Sequence, residues 1–305
     1  MKYYPEGFLL NTSENRNTLS SHVQLSDACK DARIIEARAI VCDNQHNMIV
    51  DLKCMKGLIP REEGAVGIKE GTVRDIALIS RVNKPVCFVI KDFIRDEKGA
   101  VMALLSRREA QERCQTEYLS KLRPGDVIAA RVTHVESFGV FADIGCGIIA
   151  LLPIDLISVS RIDHPKERFA AGMDIKCVVR NIDNGRVTLS QKELLGTWIE
   201  NAMLFSPGET VAGIVRSIES YGIFVELSPN LAGLAEYKEN VSVGQQASVY
   251  IKSIIPAKMK IKLIIIETFD YTYKATEPRY FIESSHLDVF EYSPPDCEKK
   301  ITVRF

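Results

Sequence analysis

The amino-acid sequence predicts an all-β-dominated chain: three tandem small barrels joined by short helical connectors, with a β appendage at its C-terminal end. Three observations predict it. First, Pro124–Ile144 (PGDVIAARVTHVESFGVFADI) and Pro207–Leu227 (PGETVAGIVRSIESYGIFVEL) align without a gap at an offset of 83, so one structural unit is used more than once. Second, a fainter copy lies upstream. Met48–Cys54 (MIVDLKC) matches Val140–Cys146 (VFADIGC) at an offset of 92, and Leu104-Leu105-Ser106 ends it as Thr188-Leu189-Ser190 ends the next. Third, each unit sets short Val- and Ile-rich runs between turn residues, the pattern of a sheet closed on itself to hide its edges.

The elements follow in order. Residues 1–30 show little periodicity and read as an N-terminal extension, a loop with room for a short helix. Residues 31–105 form the divergent first barrel. Ser106-Arg107-Arg108-Glu109 opens a helical connector over 106–121, because Ser with Glu three residues later satisfies the orphan amides of a helix start. In the second barrel, 122–192, strands are expected at Val127–Val135, Gly139–Ile144, Ile175–Asn181 and Arg186–Ser190. Asn184-Gly185 between the last two is a hairpin turn, since type I′ geometry needs two positive φ angles. Ser190-Gln191-Lys192-Glu193 repeats the capping pattern before a connector over 193–205, where Leu194 and Trp198, like Leu195 and Ile199, stand four apart as on shared helix faces. Such helices either space the barrels or simply pack on one of them. The third barrel spans 206–266. Across 267–305, strand-like runs at Tyr280–Glu283, Asp288–Tyr292 and Ile301–Phe305, together with dense aromatics, argue against a disordered tail. The segment reads as a β appendage on the third barrel, with a surface for docking a partner as the alternative.

Composition narrows the function classes. Hydrophobic residues at 46% and charged residues at 26% are ordinary for a globular chain. The longest apolar stretch, near Ile261–Ile266, is interrupted by Lys262, and Met1–Leu10 lacks the layout of a signal peptide, so a cytoplasmic protein that meets no membrane is expected. The eight cysteines form no CxxC pair and the histidines no ligand spacing. Buried free thiols are expected, with no metal and no cofactor. A net charge of −1 excludes a generally basic binder, so any nucleic-acid affinity must come from local basic faces and base stacking. No P-loop, dinucleotide fingerprint or GxSxG is present, and the chain reads as non-enzymatic.

The duplicated motif, with GIIALLPIDLIS and FAAGMDIKCVVRNIDNGRVTLSQKE that follow it, resembles the S-one RNA-binding domain family. The joins LLSRREAQERC and LLGTWIENAMLFSPGE look like the joins between tandem domains of that family, and the resemblance covers roughly Arg33–Ile266. It implies five-stranded oligonucleotide-binding barrels and a single-stranded RNA ligand, mRNA in particular. It also places the stacking platform at Phe138 and Phe141 in the second unit, and at Tyr221 and Phe224 in the third. On its own an aromatic in a strand is more often core; stacking a base on one is worth roughly 1–3 kcal/mol without demanding a sequence. The glycine within each pair permits a bend that would free both rings.

Polar contacts are expected from the last hairpin. Arg186, Thr188 and Ser190 share one strand face, and Asp183 and Arg186 match contact positions of the family in a turn one residue shorter than usual. Arg131, on the first strand of that barrel, joins the expected contacts. In the third unit Lys258, Lys260 and Lys262 alternate with apolar residues, which either tracks phosphates or protects a strand edge. Where the family often carries a contacting His, this chain has Pro153 and Glu236, and Pro256 replaces the hairpin Asp in the third unit. In the first unit the platform positions become His46 and Ile49, which suits protein docking or spacing. The expected partners are therefore single-stranded RNA and, through 31–105 or 267–305, the small ribosomal subunit or another protein, bound by a monomer. An RNA-decay or regulatory accessory role, or a protein-interaction scaffold with weak RNA binding, stands as the alternative. The matched carboxylates Asp143 and Glu226 are expected to follow from hairpin geometry alone.

Overall fold

Apolar and polar side chains alternate along the strand segments, and that period of two fixes which face each strand buries. In Val127–Glu136, for instance, Ile128, Ala130 and Val132 are buried between more accessible neighbours. The computed structural model describes residues 3–96 and 99–305. Its helices and strands are, in chain order, α1 (Ser13–Leu19), α2 (His22–Lys30), β1 (Ile35–Cys42), β2 (Met48–Asp51), β3 (Lys56–Ile59), α3 (Ile76–Ile79), β4 (Pro85–Arg95), β5 (Val101–Ser106) and α4 (Arg107–Glu117). The second barrel follows with β6 (Val127–Glu136), β7 (Gly139–Asp143), β8 (Ile149–Pro153), β9 (Asp174–Asp183) and β10 (Arg186–Ser190). After α5 (Trp198–Ala202) come β11 (Thr210–Glu219), β12 (Gly222–Ser228), β13 (Leu231–Ala235), β14 (Gln246–Ile255) and β15 (Lys260–Phe269). A small hairpin of β16 (Val289–Glu291) and β17 (Thr302–Arg304) ends the chain.

Each set of five strands closes in the same order: first, second, third, fifth, fourth, and back to the first. Neighbours are antiparallel except where the third strand meets the fifth in parallel, as at Leu234 and Lys262. This is the five-stranded oligonucleotide-binding barrel, and closure leaves no open sheet edge. Small and β-branched residues fill the interiors, among them Ala37, Val50, Ala130, Val140, Val225 and Ala247, all essentially inaccessible.

The chain divides into two compact units: Met1–Leu122 with Asp143–Ile149, and Arg123–Ala142 with Ala150–Phe305. The first unit contains an inner polar knot. Glu6 receives Arg107 through Nε at 2.6 Å and Nη2 at 3.1 Å, Arg81 at 3.2 Å, and the Cys87 amide at 3.1 Å. Its own amide donates to Asp143 at 2.7 Å, and the Gly145 and Gly147 amides also donate to Asp143. Burial alone would raise the Glu6 carboxyl, but Arg107 and then Arg81 hold it below the ordinary range. Glu36 accepts the amides of Gly7, Leu9 and Leu10 on Oε2, while its buried Oε1 has no partner. Burial, and next the Glu6 charge, push Glu36 up to about 8 in spite of those amides.

In the second unit Arg216 donates to Glu226 at 2.8 Å and pairs with Glu167, while Arg168 also pairs with Glu226. Asp143 accepts the amides of its own turn, as hairpin geometry predicts, and the remote Glu6 amide besides; Glu226 instead holds two arginines, which hairpin geometry does not explain. Asn230, fully buried, accepts the Val159 amide at 3.0 Å and donates to the carbonyls of Lys192 and Gly196, which ties the second barrel to the third.

Three local expectations change. Residues 1–30 hold two helices, α1 and α2, capped by Thr12 and Ser21 side chains. Leu194 and Trp198 do not share one helix: a 3-10 turn over Lys192–Leu195 stops at Gly196, whose φ of 86° favours glycine, and Thr197 starts α5 with a full capping box. Tyr280–Glu283 is not a strand. Its Tyr280 hydroxyl instead accepts the Lys176 amide at 2.8 Å, and the Phe281 amide donates to Leu194. The C-terminal segment is also fastened to the second barrel, through Val127 to Ser285 at 2.9 Å and Asp126 to His286 at 2.7 Å, and not only to the third. All eight cysteines are free.

Candidate nucleic-acid interface

The two aromatic pairs arise from one local device. A Cβ on Gly139 would lie 2.5 Å from the Leu152 carbonyl oxygen, and a Cβ on Gly222 would lie 2.5 Å from that of Ala235. Only glycine lets the second strand approach the third so closely, so close approach and not a bulge explains the glycine between the rings. The ring before each glycine turns outward: Phe138 is 53% exposed and Tyr221 68%. Phe138 meets Phe141 edge to face at 5.9 Å, and Tyr221 meets Phe224 likewise at 6.1 Å. Each pair offers a ready aromatic ledge outside the barrel core.

Charge differs between the ledges. In the third barrel Tyr221 and Phe224 line a groove of about 700 Å³ together with Lys258, Lys260 and Lys262. That volume lies within the usual range of ligand sites, roughly 300–1,000 Å³. Lys260 and Lys262 are exposed on β15 while Ile261 and Leu263 are buried. Lys258 belongs to the 3-10 turn Pro256–Lys258 ahead of the strand, which corrects its place on one strand face, yet it reaches the same groove. Lys252 on β14 and Lys299 from the C-terminal segment line it too. Sequence reasoning missed both. The alternation Tyr250–Lys252 along β14 could have signalled the first; nothing local signals Lys299, which is distant in sequence. Glu236, at the position where the family often has His, is the groove's carboxylate.

In the second barrel Arg131 and Arg180 are engaged. Arg131 forms a forked pair with Asp174, its Nη2 at 2.8 Å from Oδ2. Arg180 lies over the Phe305 ring at 5.4 Å. Asp183 and Arg186 face each other as the strand residues flanking the Asn184-Gly185 turn, whose φ values of 48° and 75° are both positive, and Arg186 is exposed. Ser190 does not join Arg186 on the outer face. The extra residue of the β9–β10 register shift, Arg180, lies on β9; Ser190 is fully buried against the chain that follows, bonded to Glu193 and to the Leu156 carbonyl. In the first barrel the platform positions hold His46, 3.8 Å from Asp75, and a half-buried Ile49.

Residues 121–192, which contain the second barrel, match the S1 RNA binding domain family. Small ribosomal subunit protein bS1 of Rhizobium meliloti is 27% identical over 245 residues, 74% of this chain and 41% of the relative. The Small ribosomal subunit protein bS1 homolog of Bacillus subtilis is 30% identical over 232 residues, 68% of this chain and 60% of the relative. The chain therefore spans about half the length of the curated relatives it matches. Among solved structures, a multidomain protein with nucleic acid binding domains from Streptococcus pneumoniae aligns over 77% of this chain and 74% of its own. It is 15% identical to this chain, with a TM-score of 0.26. No helix among the described residues is long and apolar enough to cross a membrane.

Proposed function

We propose that this S1-like chain holds single-stranded RNA by stacking bases on the ledges of its second and third barrels, with the third barrel supplying the stronger site. One observation carries the reading: Tyr221 and Phe224 share a groove with Lys258, Lys260 and Lys262. Stacked bases leave their phosphates to the lysines, and neither contact demands a particular sequence. Phe138 and Phe141, with Asp183 and Arg186, supply a second, weaker site. Two sites on one chain raise apparent affinity through effective concentration, which suits an unstructured mRNA. The first barrel, without aromatic platform residues, serves docking, and the small ribosomal subunit is the partner its relatives' names suggest.

Photo-crosslinking of bound RNA followed by peptide mass spectrometry tests the site assignment. Adducts are expected at Tyr221, Phe224 and Phe138. Adducts confined to 31–105 would contradict it. Co-sedimentation with small ribosomal subunits, as opposed to co-purification with nucleases, separates a role in translation from one in RNA decay.

A further inference from the structure

A second cavity of about 490 Å³ adjoins the lysine groove and shares Phe224 and Ala232 with it. Its walls come from both barrels of the second unit: Ser160, Arg161 and Asp163 from the second, Arg216 and Glu219 from the third. The joint is held in place, since the Ser160 amide donates to the Pro229 carbonyl at 3.0 Å beside the Asn230 anchor. Across the strands Ser217 pairs with Phe224, and Glu219 ends β11 two residues before Tyr221, so the cavity lies directly against the aromatic ledge.

Its chemistry differs from the groove's. The groove presents lysines, which suit phosphate; the cavity sets the exposed carboxylates of Asp163 and Glu219 beside guanidinium donors. Arg161 is exposed and has no ion-pair partner among the described residues. Arg216 has a side chain only 7% exposed, and after its bonds to Glu226 and Glu167 its Nη2 still lacks a partner. Arg216 is thus a fixed, enclosed charge in the wall, with Tyr273 as a further partner, and Arg161 is the guanidinium that a group in the cavity can reach. Phosphate would be repelled by two carboxylates. A base edge would not: an amino group donates to carboxylate oxygens, and a neighbouring ring acceptor takes an arginine N–H.

We infer that this cavity is a base subsite that selects a nucleobase bearing an exocyclic amino group over uracil. The inference rests on the RNA-binding reading above. Cytosine and uracil are the sharpest pair, because they differ by an amino group against a carbonyl at the same ring carbon, and carboxylates accept from the cytosine N4 amine.

The test is fluorescence anisotropy of the full chain with labelled 12-nucleotide oligocytidine and oligouridine at neutral pH. Oligocytidine should bind about five- to tenfold more tightly, within the discrimination one good base contact gives. In the Asp163→Ala/Glu219→Ala double variant, whose altered side chains are both exposed, that ratio should fall to about one. Equal binding of the two oligomers by the unaltered chain would overturn the subsite while leaving RNA binding intact. So would a ratio that survives the double substitution, which would show carboxylates that merely repel phosphate. Binding of neither oligomer would bring down the underlying RNA-binding reading along with the subsite.

Discussion

The first and third barrels share one strand order and make opposite use of charge. In the first unit the charges lie inside: Glu6, Arg107 and Glu36 are all buried around the N-terminal segment. In the third barrel five lysines stand outside in one groove beside two aromatic rings. Buried ions cost desolvation and reward only fixed partners, so they organise structure. Exposed, unpaired lysines stay hydrated at little cost, and on meeting a polyanion they displace the counterions condensed on its phosphates. The same strand order thus carries its charge buried under the N-terminal segment in one case and exposed beside aromatic rings in the other. The second barrel stands between, with a ledge like the third but with Arg131 and Arg180 already engaged.

The largest expected effect follows from the ledge. Tyr221→Ala with Phe224→Ala should weaken single-stranded RNA binding at least about thirtyfold, since two stacked bases at roughly 1–3 kcal/mol each are lost. The equivalent Phe138→Ala with Phe141→Ala should cost at least about tenfold, each read by titration of a labelled oligonucleotide. A larger loss from the second pair than from the first would invert the ranking of the barrels.

The next effect sharpens the interior side. Glu36, raised to about 8 from an ordinary 4.5, stays protonated in the folded first unit after the unfolded chain has ionised. Its contribution is fully present below about 4.5 and is lost as pH rises toward 8; Asp143, raised by burial and by Glu6, acts in the same direction. Glu6, lowered by Arg107, works the other way only below the ordinary carboxylate range. The first unit should therefore lose on the order of a few kcal/mol between pH 5 and 8. Glu36→Gln, which keeps an acceptor for the three amides, should flatten that loss. Denaturation followed by circular dichroism reads it, with fluorescence of the single tryptophan, Trp198, as the internal reference for the second unit. A first-unit transition independent of pH in the unaltered chain would contradict the buried-acid assignment.

The smallest effects separate free from engaged cations. Lys260→Ala and Lys262→Ala should each lower the slope of log affinity against log salt by about 0.7, the value for one single-strand phosphate contact. Arg131→Ala should leave that slope unchanged, because Asp174 already holds the guanidinium.

Much of this was legible in the residues. The period of two gave the strands, Asn184-Gly185 gave its hairpin, and the repeat placed Phe138 and Tyr221 at equivalent positions. What stayed hidden was set by contacts remote in sequence. Glu6 meets Arg107 across 101 positions, and Lys299 reaches its groove from the far end of the chain. Local exceptions misled as well: bonds to Glu193 and Leu156 hold Ser190 in the interior, and one positive φ at Gly196 split a helix that i,i+4 spacing had suggested. The matched carboxylates occupy one repeated position, yet Asp143 gathers amides while Glu226 gathers arginines.

The most direct test of the central claim is anisotropy of a labelled single-stranded RNA of about 12 nucleotides against its duplex, at two salt concentrations, with the unaltered chain and with Tyr221→Ala/Phe224→Ala. A ledge flanked by lysines predicts preference for the single strand, weakening with salt, and loss of that preference in the variant. Equal binding of strand and duplex, or full affinity in the folded variant, would contradict it.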